Sequence, residues 1–154
     1  MADDPAVDDG PANRHWGTRL FNRAWEILDS GDSEPAAQRE LLSATFGQRW
    51  HWFEVGGPKE RAVADWQVAH ALCRLGYGDL GAEFAKTALA EAEGWDEAPL
   101  WLRASCYEGM ARACAANGDS DGRATWTARC TDALARLDDP EDRELISSQL
   151  ASIP

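Results

Sequence analysis

The sequence predicts an all-α fold of stacked helical hairpins, with about seven helices in antiparallel succession. A helix–turn–helix pattern occurs twice. The first copy runs through Asp65-Trp66-Gln67-Val68-Ala69, Leu72, Leu75-Gly76, Gly81, Ala85, Ala88 and Leu89; the second through Tyr107, Met110-Ala111, Cys114, Asn117-Gly118, Ala124, Ala128 and Ala133. The loop glycines Gly76 and Gly118 are 42 positions apart, within the roughly 34 to 47 residues of helical-hairpin repeats. Small residues recur where packed helices must approach closely. No segment alternates apolar and polar residues over a strand length, so no sheet is expected.

Each element follows from local chemistry. Residues 1–12 are acidic, carry Pro5 and Pro11 and have little to bury, which predicts a disordered tail before a single domain over 13–154. Trp16, Leu20, Ala24, Ile27 and Leu28 recur at helical steps and predict a first helix ended by Ser30-Gly31-Asp32. Ser33 is the expected cap of a second helix, with Pro35 in its first turn and Gly56-Gly57 as its stop. Pro58 opens a third helix ending at Gly76, and a fourth is expected from about Asp79 to Glu93. Pro99 sits in the first turn of a fifth helix reaching Asn117. Asp119-Ser120-Asp121 caps a sixth ending near Leu137, and Asp139-Pro140-Glu141-Asp142 starts a short seventh containing Leu145, Ile146 and Leu150.

Fifteen basic against 27 acidic residues give a net charge of −12. A field of that sign repels phosphate backbones and anionic lipid, so neither nucleic acid nor a membrane is an expected partner. No apolar run reaches membrane-span length and no signal-peptide pattern opens the chain, so a cytoplasmic location is expected. Cys73, Cys106, Cys114 and Cys130 all fall inside helical patterns without Cys-x-x-Cys or histidine at ligand spacing. They read as small buried hydrophobes; no metal and no cofactor is expected.

Polar residues interrupt the apolar faces. On a helical wheel Asp65 lies amid Ala62, Trp66, Ala69, Leu72 and Cys73, and Arg49 falls between Thr45 and the Leu42–Phe53 edge. A lone buried carboxylate is costly, so Asp65 needs a cation, with Arg49 or Arg61 the candidates. The pair is either an interhelical clamp or, if the acid faces a cavity, a general base or ligand-orienting group. Glu108, bracketed by Trp101 and Ala115, admits the same two readings, with Arg112 as a surface partner one turn on. His70 borders the apolar face of its helix and His51 lies on a more polar side; the two are candidates for a proton-transfer pair. The catalytic candidates are therefore Asp65, His51, His70 and Glu108.

Eight tryptophans are many for 154 residues. Trp50 and Trp52, two positions apart, cannot share a helix face, so one of them is expected to line a groove or meet a neighbouring hairpin. With Trp66, Trp101 and Arg49 they make up the candidate binding residues.

The stretch Trp50-His51-Trp52-Phe53-Glu54-Val55-Gly56-Gly57-Pro58, the Asp65-Trp66-Gln67 motif and the closing Asp139-Pro140-Glu141-Asp142-Arg143-Glu144-Leu145 together resemble a bacterial family of uncharacterised, tetratricopeptide-like proteins. The resemblance runs from about Phe21 to the C-terminus. It implies an all-helical tetratricopeptide-like α-α superhelix and brings no settled activity. His51-Trp52, Gly56, Pro58, Asp65-Trp66 and Glu108 match its motifs. Thr45-Phe46-Gly47 departs from it, standing where a small-residue run with a histidine is expected.

Two functions follow as expectations. The first is a helical-repeat binding module holding a peptide, a protein or an apolar small molecule in a tryptophan-lined groove, with homodimerisation through an end hairpin. The alternative is a small cofactor-independent enzyme using acid–base residues in an aromatic pocket. No nucleophile elbow, phosphate loop or metal motif is present, but acid–base chemistry has no motif to find.

Overall fold

The computed structural model describes residues 9–154. Among them are seven helices and no strand: α1 (Gly10–Ser30), α2 (Pro35–Val55), α3 (Pro58–Arg74), α4 (Gly78–Gly94), α5 (Leu100–Ala116), α6 (Ser120–Leu134) and α7 (Pro140–Ala151). Residues 1–8 of the expected acidic tail lie outside the described residues. Gly10–Ala12, also assigned to that tail, instead open α1: Pro11 suits a first turn, and Asn13 N–H donates to the Asp9 carbonyl at 2.9 Å.

The other boundaries follow capping chemistry. Ser33 is not the cap of α2; Glu34 precedes the helix, and its N–H donates to Asp32 Oδ1 at 2.9 Å. At the start of α3 the Glu60 carboxylate accepts from Gly57 N–H at 2.9 Å. Asp119 accepts from Gly122 N–H at the start of α6, and Asp139 accepts from Glu141 and Asp142 N–H at the start of α7. Helix α6 stops at Leu134, short of the expected Leu137, which is buried beyond a final turn.

Neighbouring helices pack in succession. Helices α1 with α2, α3 with α4, and α5 with α6 form hairpins; α2 also meets α3, and α4 meets α5. The odd-numbered helices touch one another in order, α1 to α3, α3 to α5 and α5 to α7. Helix α3 is therefore enclosed by four others, and every residue from Ala64 to Leu72 is buried. One core joins Trp66, Leu89, Leu102, Cys106 and Met110 of α3, α4 and α5; a second joins Ile27, Leu28 and Leu41; a third joins Cys130, Leu134, Leu137 and Ile146.

The two loop glycines share one geometry. Gly76 and Gly118 have φ of 86° and 70°, the left-handed region where a Cβ is unfavourable. In both turns the following residue donates back five positions at 2.9 Å, Tyr77 to Leu72 and Asp119 to Cys114. This turn caps the α3 and α5 C-termini and reverses the chain. Beyond the first turn, Gly81 lets α4 lie against α3: a Cβ there would stand 2.6 Å from Cys73 Sγ.

That contact gives a test. Gly81→Ala is expected to cost about 1–3 kcal/mol in urea unfolding, because the added methyl crowds the Cys73 thiol and the α3 backbone behind it. Gly94→Ala, with nothing within 4 Å of a new Cβ, is expected to be neutral or slightly stabilising.

Candidate ligand cavity and buried polar network

Stripes from four helices converge on a cavity of about 550 Å³. Phe21, Trp25 and Asp29 of α1 follow one another at four-residue steps, as do Lys59 and Val63 of α3 and Trp101 and Ser105 of α5. Trp66 completes the α3 stripe, and Asp142, Leu145, Ile146, Ser148 and Gln149 of α7 form the facing wall. Trp66, Ser105 and Ile146 are buried and make the deep part, whereas Asp29, Lys59, Leu145 and Ser148 are exposed at the mouth. Trp25 lies 5.5 Å from Trp66, centroid to centroid, and Phe21 meets Trp25 edge-on at 6.3 Å. Dimensions of this order, an apolar interior and a few polar groups are those of small-molecule sites.

Glu108 fixes the deep part. Its side chain is fully buried and accepts from Trp66 Nε1–H at 3.0 Å and from Arg112 Nε–H at 2.8 Å. Arg112 Nη2 stands 2.6 Å from the same carboxylate and also donates to the Gln149 carbonyl at 2.8 Å and to Ser152 Oγ at 2.9 Å. One carboxylate thus sets the tryptophan of α3 and, through its arginine, holds the end of α7. Gly109 makes room: a Cβ there would lie 2.9 Å from Trp66 Cδ1. Arg112 is accordingly not the surface partner expected from the sequence; α7 covers it.

Asp65 is also fully buried, and its Oδ1 accepts from Arg49 Nε–H at 2.5 Å. The Arg49 guanidinium stacks over Phe53 at 4.0 Å and lies 5.3 Å from Phe84, tying α2 to α3 and α4. Burial pushes the Asp65 carboxyl above its ordinary range, against the opposing pull of Arg49. The other cation considered for Asp65, Arg61, pairs instead with Glu91 of α4 through two contacts at 2.8 and 3.2 Å.

The remaining sequence candidates are dispersed. His51 Nδ1 shares a hydrogen bond of 2.7 Å with Asn13 Oδ1. His70 is buried between Trp25, at 5.1 Å, and Trp66, at 6.2 Å. It lines a second cavity of about 420 Å³ with Cys73, Arg74, Arg112 and Ser152. The two histidines have different partners on different helices and do not form a pair. Of the binding candidates, Trp66 and Trp101 reach the larger cavity; Arg49, Trp50 and Trp52 do not. Trp50 is 68% exposed, and Trp52 lies against Gly17 of α1, because α2 contributes nothing to that cavity. Sequence reasoning passed over Phe21, Trp25 and the α7 stripe, although their helical spacing was visible; what was missing was the helix that each stripe faces.

Among the described residues no group of three His, Cys, Asp or Glu side chains could hold a metal ion. The four thiols are unpaired, and burial raises Cys73 to about 11 and Cys106 and Cys130 to about 12, which keeps them protonated and unreactive at neutral pH.

His70 carries a pH dependence. Burial, aided by Arg112 and Arg74, lowers its pKa from 6.5 to about 3. Above pH 6.5 it is neutral folded and unfolded; as the pH falls from 6.5 towards 3, only the unfolded chain gains the proton, so stability is lost. The loss approaches about 1.4 kcal/mol per pH unit well inside that window. Urea unfolding of His70→Phe between pH 7 and 4.5 is expected to show a correspondingly shallower decline than the parent protein; an identical slope would contradict a buried neutral imidazole.

Comparison with known families, curated proteins and solved structures gives no match to this chain. The likeness to tetratricopeptide-like proteins accordingly rests on the motifs quoted above.

Proposed function

We propose that this protein is a tetratricopeptide-like binding module whose inner, odd-numbered helices hold an apolar small molecule in the tryptophan-lined cavity. The observation that carries the reading is the convergence of α1, α3, α5 and α7 on one space of about 550 Å³ with an aromatic interior. A peptide would need a groove running along the odd-numbered helices. Here α7 supplies one wall and bounds the space, which favours a compact ligand over an extended chain. Two of the acid–base candidates have other engagements: Asp65 holds Arg49, and Glu108 holds Trp66 and Arg112.

Titration with 2-phenylethanol, read by tryptophan emission, tests the reading. A saturable change is expected in the parent protein. It should survive Trp50→Ala, which alters only an exposed face, and weaken at least tenfold in Val63→Phe, which fills the cavity. Loss in Trp50→Ala with retention in Val63→Phe would move the site elsewhere.

A further inference from the structure

The charges and polar atoms around the cavity distinguish among ligands that would all satisfy its apolar walls. We infer that its ligand is an amphiphilic organic ammonium ion, an apolar body carrying one protonated amine. The inference rests on the cavity being the binding site and specifies what that site selects.

Two independent features converge. The first is the aromatic lining: Trp25, Trp66 and Trp101 all border the space, and an indole face attracts cations more strongly than a phenyl face does. The Trp66 N–H donates to the Glu108 carboxylate, which polarises the indole and leaves its face more electron-rich.

The second is charge. Asp29 and Asp142 border the same space, and neither takes part in an ion pair among the described residues. Against these two carboxylates stands one lining cation, Lys59. The nearby Arg112 adds no unmatched charge, since Glu108 is its counter-ion. The chain as a whole carries −12, so the long-range field also draws cations and repels anions.

A neutral apolar ligand uses the walls and leaves the two carboxylates unmatched, whereas a carboxylate ligand meets them with like charge.

Calorimetric titration at pH 7 and low ionic strength with three probes of similar body tests the inference: 2-phenylethylammonium, 2-phenylethanol and 3-phenylpropanoate. The ammonium ion is expected to bind at least tenfold more tightly than the alcohol, and the carboxylate most weakly. Added salt should weaken the ammonium ion alone. In the double variant Asp29→Asn with Asp142→Asn, the ammonium ion should fall towards the alcohol, whose own affinity stays within about twofold. If the alcohol binds as tightly as the ammonium ion, or the preference survives the double variant, the ligand class is overturned while the cavity remains a binding site. If no probe binds, or all bind Val63→Phe as they bind the parent, the cavity reading itself falls, and the inference with it.

Discussion

A carboxylate removed from water must find donors, and the arrangement of the helices around this protein's cavity depends on how Glu108 finds them. Burying an ionised group without partners costs several kcal/mol, so a fully buried Glu108 constrains whatever surrounds it. It takes the indole N–H of Trp66 and the guanidinium of Arg112. The same arginine then reaches the Gln149 carbonyl and Ser152 at the end of α7. Three helices are thereby set relative to one another by one side chain. Two of the groups involved, Trp66 and Gln149, are also walls of the cavity, so fold and site share a single determinant.

The need for such polar fasteners follows from the small residues of the core. Many buried apolar positions are alanine, among them Ala62, Ala64, Ala69, Ala71, Ala85, Ala88, Ala92 and Ala113. Alanine permits close helix approach, but its single methyl offers little to select one register over the next. An ion pair with defined geometry does select. Arg49 with Asp65 joins α2 to α3, Arg61 with Glu91 joins α3 to α4, and the Glu108 network joins α3, α5 and α7. The half-exposed Arg61–Glu91 pair contributes little to stability; the buried pairs act mainly by penalising any packing that would separate them.

What could be read from the sequence was what is local. Helical periodicity and the Asp119 and Asp139 caps located helices α6 and α7 at their starts, and Gly76 and Gly118, like Gly31, marked turns that do adopt positive φ. Ser33 misled because Asp32 offers its carboxylate to the same turn. The wheel also identified Asp65, Glu108 and Arg49 as misplaced in apolar surroundings, and burial of the two acids follows from that. Whatever depends on residues distant in the chain was out of reach. Arg112 reads as a surface residue until α7, 37 to 40 residues later, covers it. Trp50 and Trp52 read as groove residues because a wheel gives the angle of a side chain and not the identity of the helix opposite. Helix α3 is the extreme case: from Ala64 to Leu72 it is buried all round, so its periodicity there says little about which face meets which neighbour.

Arg112, seated on Glu108, anchors α7 as a wall of the cavity. Amide hydrogen exchange in the parent protein and in Arg112→Lys tests that anchoring. Lysine keeps the charge on Glu108 and loses the planar fork that reaches α7 as well. Exchange is expected to accelerate at least tenfold across α7, with α1 to α4 unchanged. Unchanged protection of α7, or a loss spread evenly over all seven helices, would contradict the account.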